Sequence, residues 1–402
     1  MSEHKPIIFL SGLFPKQQEE EILNDSKGVI QFAANTLQWA ILEGLIENNC
    51  KMKSLNLPFV GSYPSKYLRK SFLERVFLYA NVEIKNVHFS NIILYKFFSR
   101  YINLKKELNK IALKNEVLLI YSMNLSFVLA AVQTKRRYKN VKICLIVPDL
   151  PQFMNETQNV FYKILKNVEI HYLKKYLKKI DYFVLLTKAM ASYLEIENKP
   201  WVVVEGIASQ TKRVHINRQD EEVVLLYTGT LAKRYGIINL LKAFKEIPNK
   251  NFRLFISGDG DGKAEINEAI KVDSRIKYYG QLANSEILKM QSDADILVNP
   301  RLPDLEFTKY SFPSKTMEYL SSGTATIMYR LDGVPEEYYP YFFTPDTTSV
   351  EDLKSKILEI SKFEKSYLTV FGKAAQKFIE DNKNAKIQTE KIINLLNHKY
   401  AN

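Results

Sequence analysis

Three features of the sequence predict an α/β fold of two tandem doubly wound domains. Short apolar stretches alternate with segments of helical periodicity, once over residues 1–206 and again over 222–380. A polar, irregular stretch, 207–221 (IASQTKRVHINRQDE), separates the two series and reads as a linker. Several strands of the second series end in glycine or a polar residue, as they do where a parallel sheet lines a ligand crevice.

In the first series, PIIFLSG (6–12) reads as a buried strand and 29–48 as a helix, with Gly12 and Gly28 on either side of the loop between them. Gly28 stands where backbone amides can approach a phosphate or a sugar. Strands are expected at 54–60 and 82–89, separated by a basic, aromatic helical segment, 63–80. EVLLIYSM (116–123), a helix over 125–138 and VKICLIVPDL (141–150) form a strand–helix–strand unit. A long helical segment (157–179), DYFVLLT (181–187) and WVVVEG (201–206) complete the domain. The second series runs VVLLYTG, FRLFISG, IKYYG, ADILVNP and TATIMY, each followed by helical periodicity. Residues 381–402 read as a C-terminal helix that packs back on the first domain. Strands that are apolar throughout belong to parallel sheets covered on both faces.

With 402 residues, 46% of them hydrophobic, the chain has ample material for two cores. No apolar run is long enough to span a bilayer, and the first residues lack a signal-peptide pattern, so the expectation is a cytoplasmic protein with buried, reduced Cys50 and Cys144. The net charge of +13 is uneven: residues 1–200 carry 29 Lys/Arg against 17 Asp/Glu, whereas 201–402 carry 28 against 27. A basic first half calls for an anionic partner. An anionic membrane surface is one, met by 63–80 and 157–179, where lysines interleave with apolar residues. No DNA or RNA module is recognisable, so a nucleic-acid partner is not expected. The alternative is a solvated basic surface.

The chemistry concentrates in Asn299–Gly323. Pro313 opens and Gly323 closes a short helix, and Lys315 and Glu318 lie one turn apart on one face. A cation for phosphate followed by a carboxylate for sugar hydroxyls suits a nucleoside diphosphate, with the helix N-terminus assisting. A capped surface helix with a Lys–Glu pair is the other reading of the same residues. Upstream, Gly229, Gly258 and Gly280 end successive strands and would share one sheet edge with the helix.

The segments YTGTLAKRYGIINLLKAF, FISGDG, YYGQL, ADILVNP, YSFPSKTMEYLSSGTATI and DGVPEEYY resemble the family 4 glycosyltransferases of GT-B fold, and within them bacterial enzymes of surface-polysaccharide synthesis. The resemblance is strongest over residues 223–345. It implies two Rossmann-like domains facing a central cleft. It also implies a retaining, metal-independent hexosyl transfer from a nucleotide-diphosphate sugar, a UDP-sugar by preference, to a glycan or polyprenyl-diphosphate-linked acceptor. The donor is a substrate and no cofactor is implied. The second domain would take the donor and the first the acceptor, with Asp149 of VPDLP near the reacting sugar; Asp149 also reads as a simple turn residue.

Carried residue by residue, the resemblance puts Glu318 on the ribose hydroxyls. Its first carboxylate would fall at position 310, which is Tyr310 here, so the donor sugar is left to amides around Ser311, Phe312, Pro313 and Ser314 or to Glu306 from an altered loop. The family's phosphate-binding bases would fall near Thr230 and Tyr235. Lys233, Arg234 and Arg301 are the available substitutes, with Arg301 and Lys315 expected on the diphosphate. Gln281 and Leu282 stand where the base is contacted through backbone groups. A catalytically degenerate nucleotide-binding or scaffold protein is the alternative. The Asp259/Asp261 and Asp293/Asp295 pairs mimic a metal-binding D-x-D, but one lies in a glycine turn and the other leads into a strand, and the five histidines lack ligand spacing. No metal is expected.

Overall fold

The computed structural model describes residues 5–27, 30, 32–150, 160–208, 222–304 and 306–397. Gly28 and nearly all of the 207–221 stretch therefore lie outside the described residues, as do the side chains of residues 160–165. The chain divides into two compact units, Met1–Ile207 with Ala385–Asn402, and Ala208–Asn384.

The first unit runs β1 (Ile7–Ser11), α1 (Glu19–Asn24), α2 (Phe32–Glu47), β2 (Met52–Asn56), β3 (Ser71–Phe72), β4 (Arg75–Tyr79), β5 (Val82–Asn86), β6 (Phe89–Ser90), α3 (Tyr95–Lys110), β7 (Val117–Tyr121), α4 (Leu125–Arg137), β8 (Lys142–Val147), α5 (Val160–Leu177), β9 (Tyr182–Leu185), α6 (Ala189–Tyr193) and β10 (Trp201–Val203). Its eight-stranded sheet has the order β10-β9-β8-β7-β1-β2-β5-β4 and is parallel except for the edge pair β4/β5. β1 and β7 are buried throughout, and helices cover both faces, which is why these strands read as unbroken apolar runs. Cys50 and Cys144 are buried, and loss of water pushes both thiols up, Cys50 to about 11.

The helical segment expected over 63–80 is not there. Arg75–Tyr79 is an edge strand that turns through Ala80 (φ 45°) and Asn81 (φ 67°) into β5, and Ser71–Phe72 pairs antiparallel with Phe89–Ser90. A two-residue turn with both φ positive has the twist an antiparallel hairpin needs. Pairing with β5 overrides the helical look of the sequence.

The second unit runs β11 (Val223–Thr230), α7 (Ile237–Lys245), β12 (Phe252–Asp259), α8 (Lys263–Val272), β13 (Ile276–Tyr278), α9 (Asn284–Asp293), β14 (Ile296–Asn299), α10 (Ser314–Leu320), β15 (Ala325–Met328), α11 (Val350–Ile360) and α12 (Lys365–Asn382). All five strands are parallel in the order β13-β12-β11-β14-β15, so their C-terminal ends share one edge. The order reverses beside β11: the chain moves outward through β12 and β13, then returns to β14 on the other side. That reversal opens the crevice in which doubly wound sheets take ligands.

The last helix, α13 (Ala385–Leu396), belongs to the first unit. Ile392, Ile393 and Leu396 join the core around Trp39, Leu42 and Leu45. Gly44 of α2 admits the close approach, since a Cβ there would lie 2.2 Å from the Ala385 carbonyl oxygen. Asn48 Nδ2 donates to the Lys386 carbonyl (2.8 Å), and Gln388 Nε2 donates to the Gly206 carbonyl (2.7 Å).

Candidate functional site

At the strand-end edge of the second unit, β11 and β12 run in register to Gly229↔Gly258 and Thr230↔Asp259. Both glycines have φ +143°. A Cβ on Gly258 would fall 1.8 Å from the Gly229 carbonyl oxygen, and one on Gly229 would lie 3.2 Å from Lys315 Cε. The two glycines thus let adjacent strand ends close up and leave room for the Lys315 stem to cross β11. The Gly258 N–H and the Ser257 hydroxyl both donate to the Gly280 carbonyl, each at 2.8 Å, extending the edge toward β13.

Helix α10, seven residues long, presents Lys315 and Glu318 to this edge. Lys315 Nζ meets Glu318 Oε1 at 2.6 Å, and the same oxygen accepts from Gln291 Nε2 at 2.5 Å. Gln291, fully buried on α9, also donates to Thr228 Oγ1 (2.9 Å). Tyr319, next along α10 and fully buried, accepts the Thr228 N–H (2.8 Å) and donates to the Thr228 carbonyl (3.1 Å). Burial and the neighbouring Tyr227 push its phenol far up, so it stays protonated. Helices α9 and α10 are in this way pinned to one residue of β11, and Glu318 is oriented before any ligand arrives. Gln291, Thr228 and Tyr319 were missed in the sequence. Nothing in their spacing marks them, because strand pairing and helix packing bring them together from 63 and 91 positions apart.

Arg301, just past β14, donates to Ser311 Oγ (2.8 Å) and stacks on Tyr235 and Phe307, with its guanidinium carbon 5.1 and 4.9 Å from the ring centres. Desolvation lowers its pKa, and its buried Nε has no hydrogen-bond partner among the described residues. Arg234 lies over the same two rings at 5.3 and 5.6 Å. The position where the resemblance expects a base is therefore occupied by Tyr235, with two guanidiniums resting on it. Lys233 is placed differently: its ammonium pairs with Glu265 of α8, and its N–H donates to Asp261 Oδ1 (2.8 Å).

The remaining candidates divide. Phe312 is buried in a core cluster against Tyr338 (5.4 Å), which leaves only its backbone to face a ligand, and the buried Pro313 precedes α10. Ser311 is bonded to Arg301, Ser314 is exposed at the start of α10, and Glu306 is exposed at the start of a 3-10 turn that ends at Tyr310. Thr230 and Gln281 are exposed and Leu282 is half-buried. Of the four acids in the two D-x-D pairs, three serve the backbone: Asp259 Oδ1 accepts from the Gly260 N–H (3.0 Å), Asp261 Oδ1 from the Lys233 N–H (2.8 Å) and Asp295 Oδ2 from the Val224 N–H (2.8 Å). Among the described residues no three His, Cys, Asp or Glu side chains gather as metal ligands.

In the first unit, the Gly12 N–H donates to Gln38 Oε1 (2.6 Å), and a Cβ there would strike the Phe59 ring at 2.2 Å. Its amide is spent inside the unit. Asp149, just beyond β8, keeps an exposed face, yet the protein around it withdraws enough water to push its carboxyl up to about 6. No described helix is long and apolar enough to cross a membrane.

Residues 208–385 match the family described as Glycosyl transferases group 1. An uncharacterized glycosyltransferase of Methanocaldococcus jannaschii is 24% identical over 144 residues, 34% of this chain. The match spans about a third (35%) of that relative's length. Among solved structures, sucrose-phosphate synthase of Thermosynechococcus elongatus aligns over 98% of this chain and 99% of its own (TM-score 0.64, 13% identity). HepE of Anabaena, solved in complex with UDP, aligns over 98% and 100% (TM-score 0.61, 11% identity). The two parallel-sheet units and these likenesses make the fold GT-B, and the match to the glycosyl transferases group 1 family falls on the second unit.

Proposed function

We propose that the protein is a retaining glycosyltransferase that takes a nucleotide-diphosphate sugar on its second unit and transfers the sugar to a glycan or lipid-linked saccharide. The observation that carries this reading is the Lys315–Glu318–Gln291 cluster at the strand-end edge of a domain that matches the group 1 glycosyltransferases. Glu318, held on one oxygen by an amide and an ammonium, is suited to accept hydrogen bonds from a ribose diol. Lys315 and Arg301 supply charge for the diphosphate, and Arg234 lies beside Arg301. A bidentate guanidinium and a mobile ammonium are complementary ways of holding phosphate oxygens.

Catalysis on this reading is electrostatic. The cations are paired and stacked before the donor arrives, so they stabilise charge developing on the departing diphosphate with little reorganisation. No side chain of the cluster needs to attack the sugar, and no metal is assigned. The UDP complex of the Anabaena neighbour favours uracil as the base. Asp149, with its raised pKa, is the candidate acceptor-side carboxylate of the first unit. Hexosyl transfer, surface-polysaccharide synthesis and a cytoplasmic, membrane-peripheral location complete the proposal, drawn from the resemblance and the basic first half.

The second reading, a binding protein without turnover, is favoured by Tyr310 in place of a carboxylate and by the exposed Glu306. Incubation with a panel of nucleotide sugars and saccharide acceptors separates the two. Transfer with retained anomeric configuration, followed by NMR, supports the enzyme; nucleotide binding with no hydrolysis or transfer on any pair would sink it.

A further inference from the structure

One surface of the first unit takes no part in the donor site. Among the described residues, ten of the seventeen exposed large apolar side chains fall between Leu68 and Ile102. Residues 63–110 also hold ten Lys/Arg against three Asp/Glu, a net +7 of the chain's +13. Hydrocarbon and positive charge are concentrated in the same stretch.

The topology gathers residues 66–70 and the start of α3, apart from the edge strand β4, into one face. β3 and β6 pair antiparallel, Tyr63 bridges Ile92, and the Asn91 N–H donates to the Lys70 carbonyl (2.7 Å), so Arg69 and Lys70 lie beside Asn91. Lys66 is tied in through Gly61, whose carbonyl accepts from Asn91 Nδ2 (2.9 Å) and where a Cβ would lie 2.3 Å from Lys66 Cβ. Leu94, at φ 68°, turns the chain into α3 and leaves Ile93 and Leu94 61% and 65% exposed. The stripe continues at helical spacing through Tyr95, Phe98 and Ile102, then becomes basic at Lys106. Leu68, also exposed, stands among Lys66, Arg69 and Lys70.

The apolar tip is held from beneath. Arg100 of α3, 5% exposed, donates to the Pro58 carbonyl (2.5 Å) and lies over the Phe89 ring at 4.5 Å, while Lys96 donates to the Val60 carbonyl (2.6 Å). The exposed residues are therefore displayed by an anchored helix start.

We propose that this face seats on an anionic phospholipid surface, with Ile93, Leu94 and Phe98 entering the headgroup–acyl boundary and Lys66, Lys70 and Lys106 facing the headgroups. An anionic bilayer supplies both things the face lacks, an apolar medium and negative charge. Apposing the face to a second copy would set two strongly basic stretches together. The inference deepens the membrane-peripheral part of the proposed function and is independent of the donor site, so the two fail separately. It also relocates the surface from the helical segment expected at 63–80 to a composite of turn, hairpin and helix.

The test is co-sedimentation of the full chain with vesicles of phosphatidylcholine containing 30% phosphatidylglycerol, against pure phosphatidylcholine, at low and high salt. Binding should require the anionic lipid and weaken with salt. The variant Ile93→Ser/Leu94→Ser/Phe98→Ser should bind about tenfold or more weakly. Lys66→Glu/Lys70→Glu should lose roughly fivefold or more per charge and flatten the salt dependence. UDP titration and thermal melting of each sample report separately on the donor site and on folding. Absence of wild-type binding to the anionic vesicles overturns the proposal, as does binding by both variants at the wild-type level. So does a wild-type dimer that the apolar variant converts to monomer without changing vesicle binding.

Discussion

The Lys315 ammonium and the Glu318 carboxylate meet at 2.6 Å on one face of α10, and Gln291 holds the same carboxylate oxygen from α9. On the proposed function, the cation and the acid would meet two parts of one ligand. Removing the cation should penalise only the phosphate end. Lys315→Ala is expected to weaken UDP binding about tenfold or more, the worth of a charged hydrogen bond, and to leave uridine binding unchanged. Calorimetric titrations of both ligands check this; equal losses for both would place Lys315 away from the phosphates.

The glycines of the strand-end edge are not equivalent. Gly258 has the Gly229 carbonyl oxygen 1.8 Å from where its Cβ would be, whereas Gly280 (φ +68°) has nothing within 4 Å. Gly258→Ala should cost about 3 kcal/mol or more through backbone displacement. Gly280→Ala should cost only the roughly 1 kcal/mol of a left-handed alanine. Urea unfolding of the two variants should keep this order, and the reverse order would contradict the strand-end geometry.

Tyr319 ties α10 to β11 through both backbone groups of Thr228. Tyr319→Phe keeps the ring and strands a buried N–H, at a cost of about 1–3 kcal/mol. Weaker UDP binding should accompany the loss, because the anchor also fixes Glu318. A variant as stable as wild type with unchanged affinity would show that the anchor is dispensable.

Asp149 gives a pH signature. Its folded pKa is raised by desolvation from 3.8 to about 6, so across that window the folded chain holds a proton that the unfolded chain releases. The associated stability is complete below the lower value and is lost as pH rises through the upper one. Asp149→Asn should gain in melting temperature over wild type as pH rises from 4 to 6, with the difference level above pH 7. If the ionised carboxylate serves transfer, the variant should also lose an activity inflection near pH 6. A pH-independent difference in melting temperature would show that the carboxyl is not perturbed.

The architecture was legible because buried parallel strands are unbroken apolar runs and their ends carry glycine. The 63–80 stretch was misread because a hairpin turn at Ala80–Asn81 is a weak local signal beside lysines and aromatics at helical spacing. Lys315 and Glu318 could be picked out as a charged pair one helical turn apart, which the structure shows as an ion pair, and Arg301 as a charge just past a strand. Gln291, Thr228 and Tyr319 could not, since a buried amide, hydroxyl and phenol read as ordinary core until the sheet sets them against one another. Lys233 shows the converse, a cation in the expected loop whose partner, Glu265, lies on α8, beyond the next strand.

The central claim is that Glu318 receives the ribose of a nucleoside diphosphate. Isothermal titration of UDP into the intact chain and into Glu318→Ala tests it most directly, with 2′,3′-dideoxy-UDP as the companion ligand. UDP binding should be measurable and fall about tenfold or more in the variant, and dideoxy-UDP binding should be weak and equal in both proteins. Unchanged UDP affinity in Glu318→Ala would contradict it.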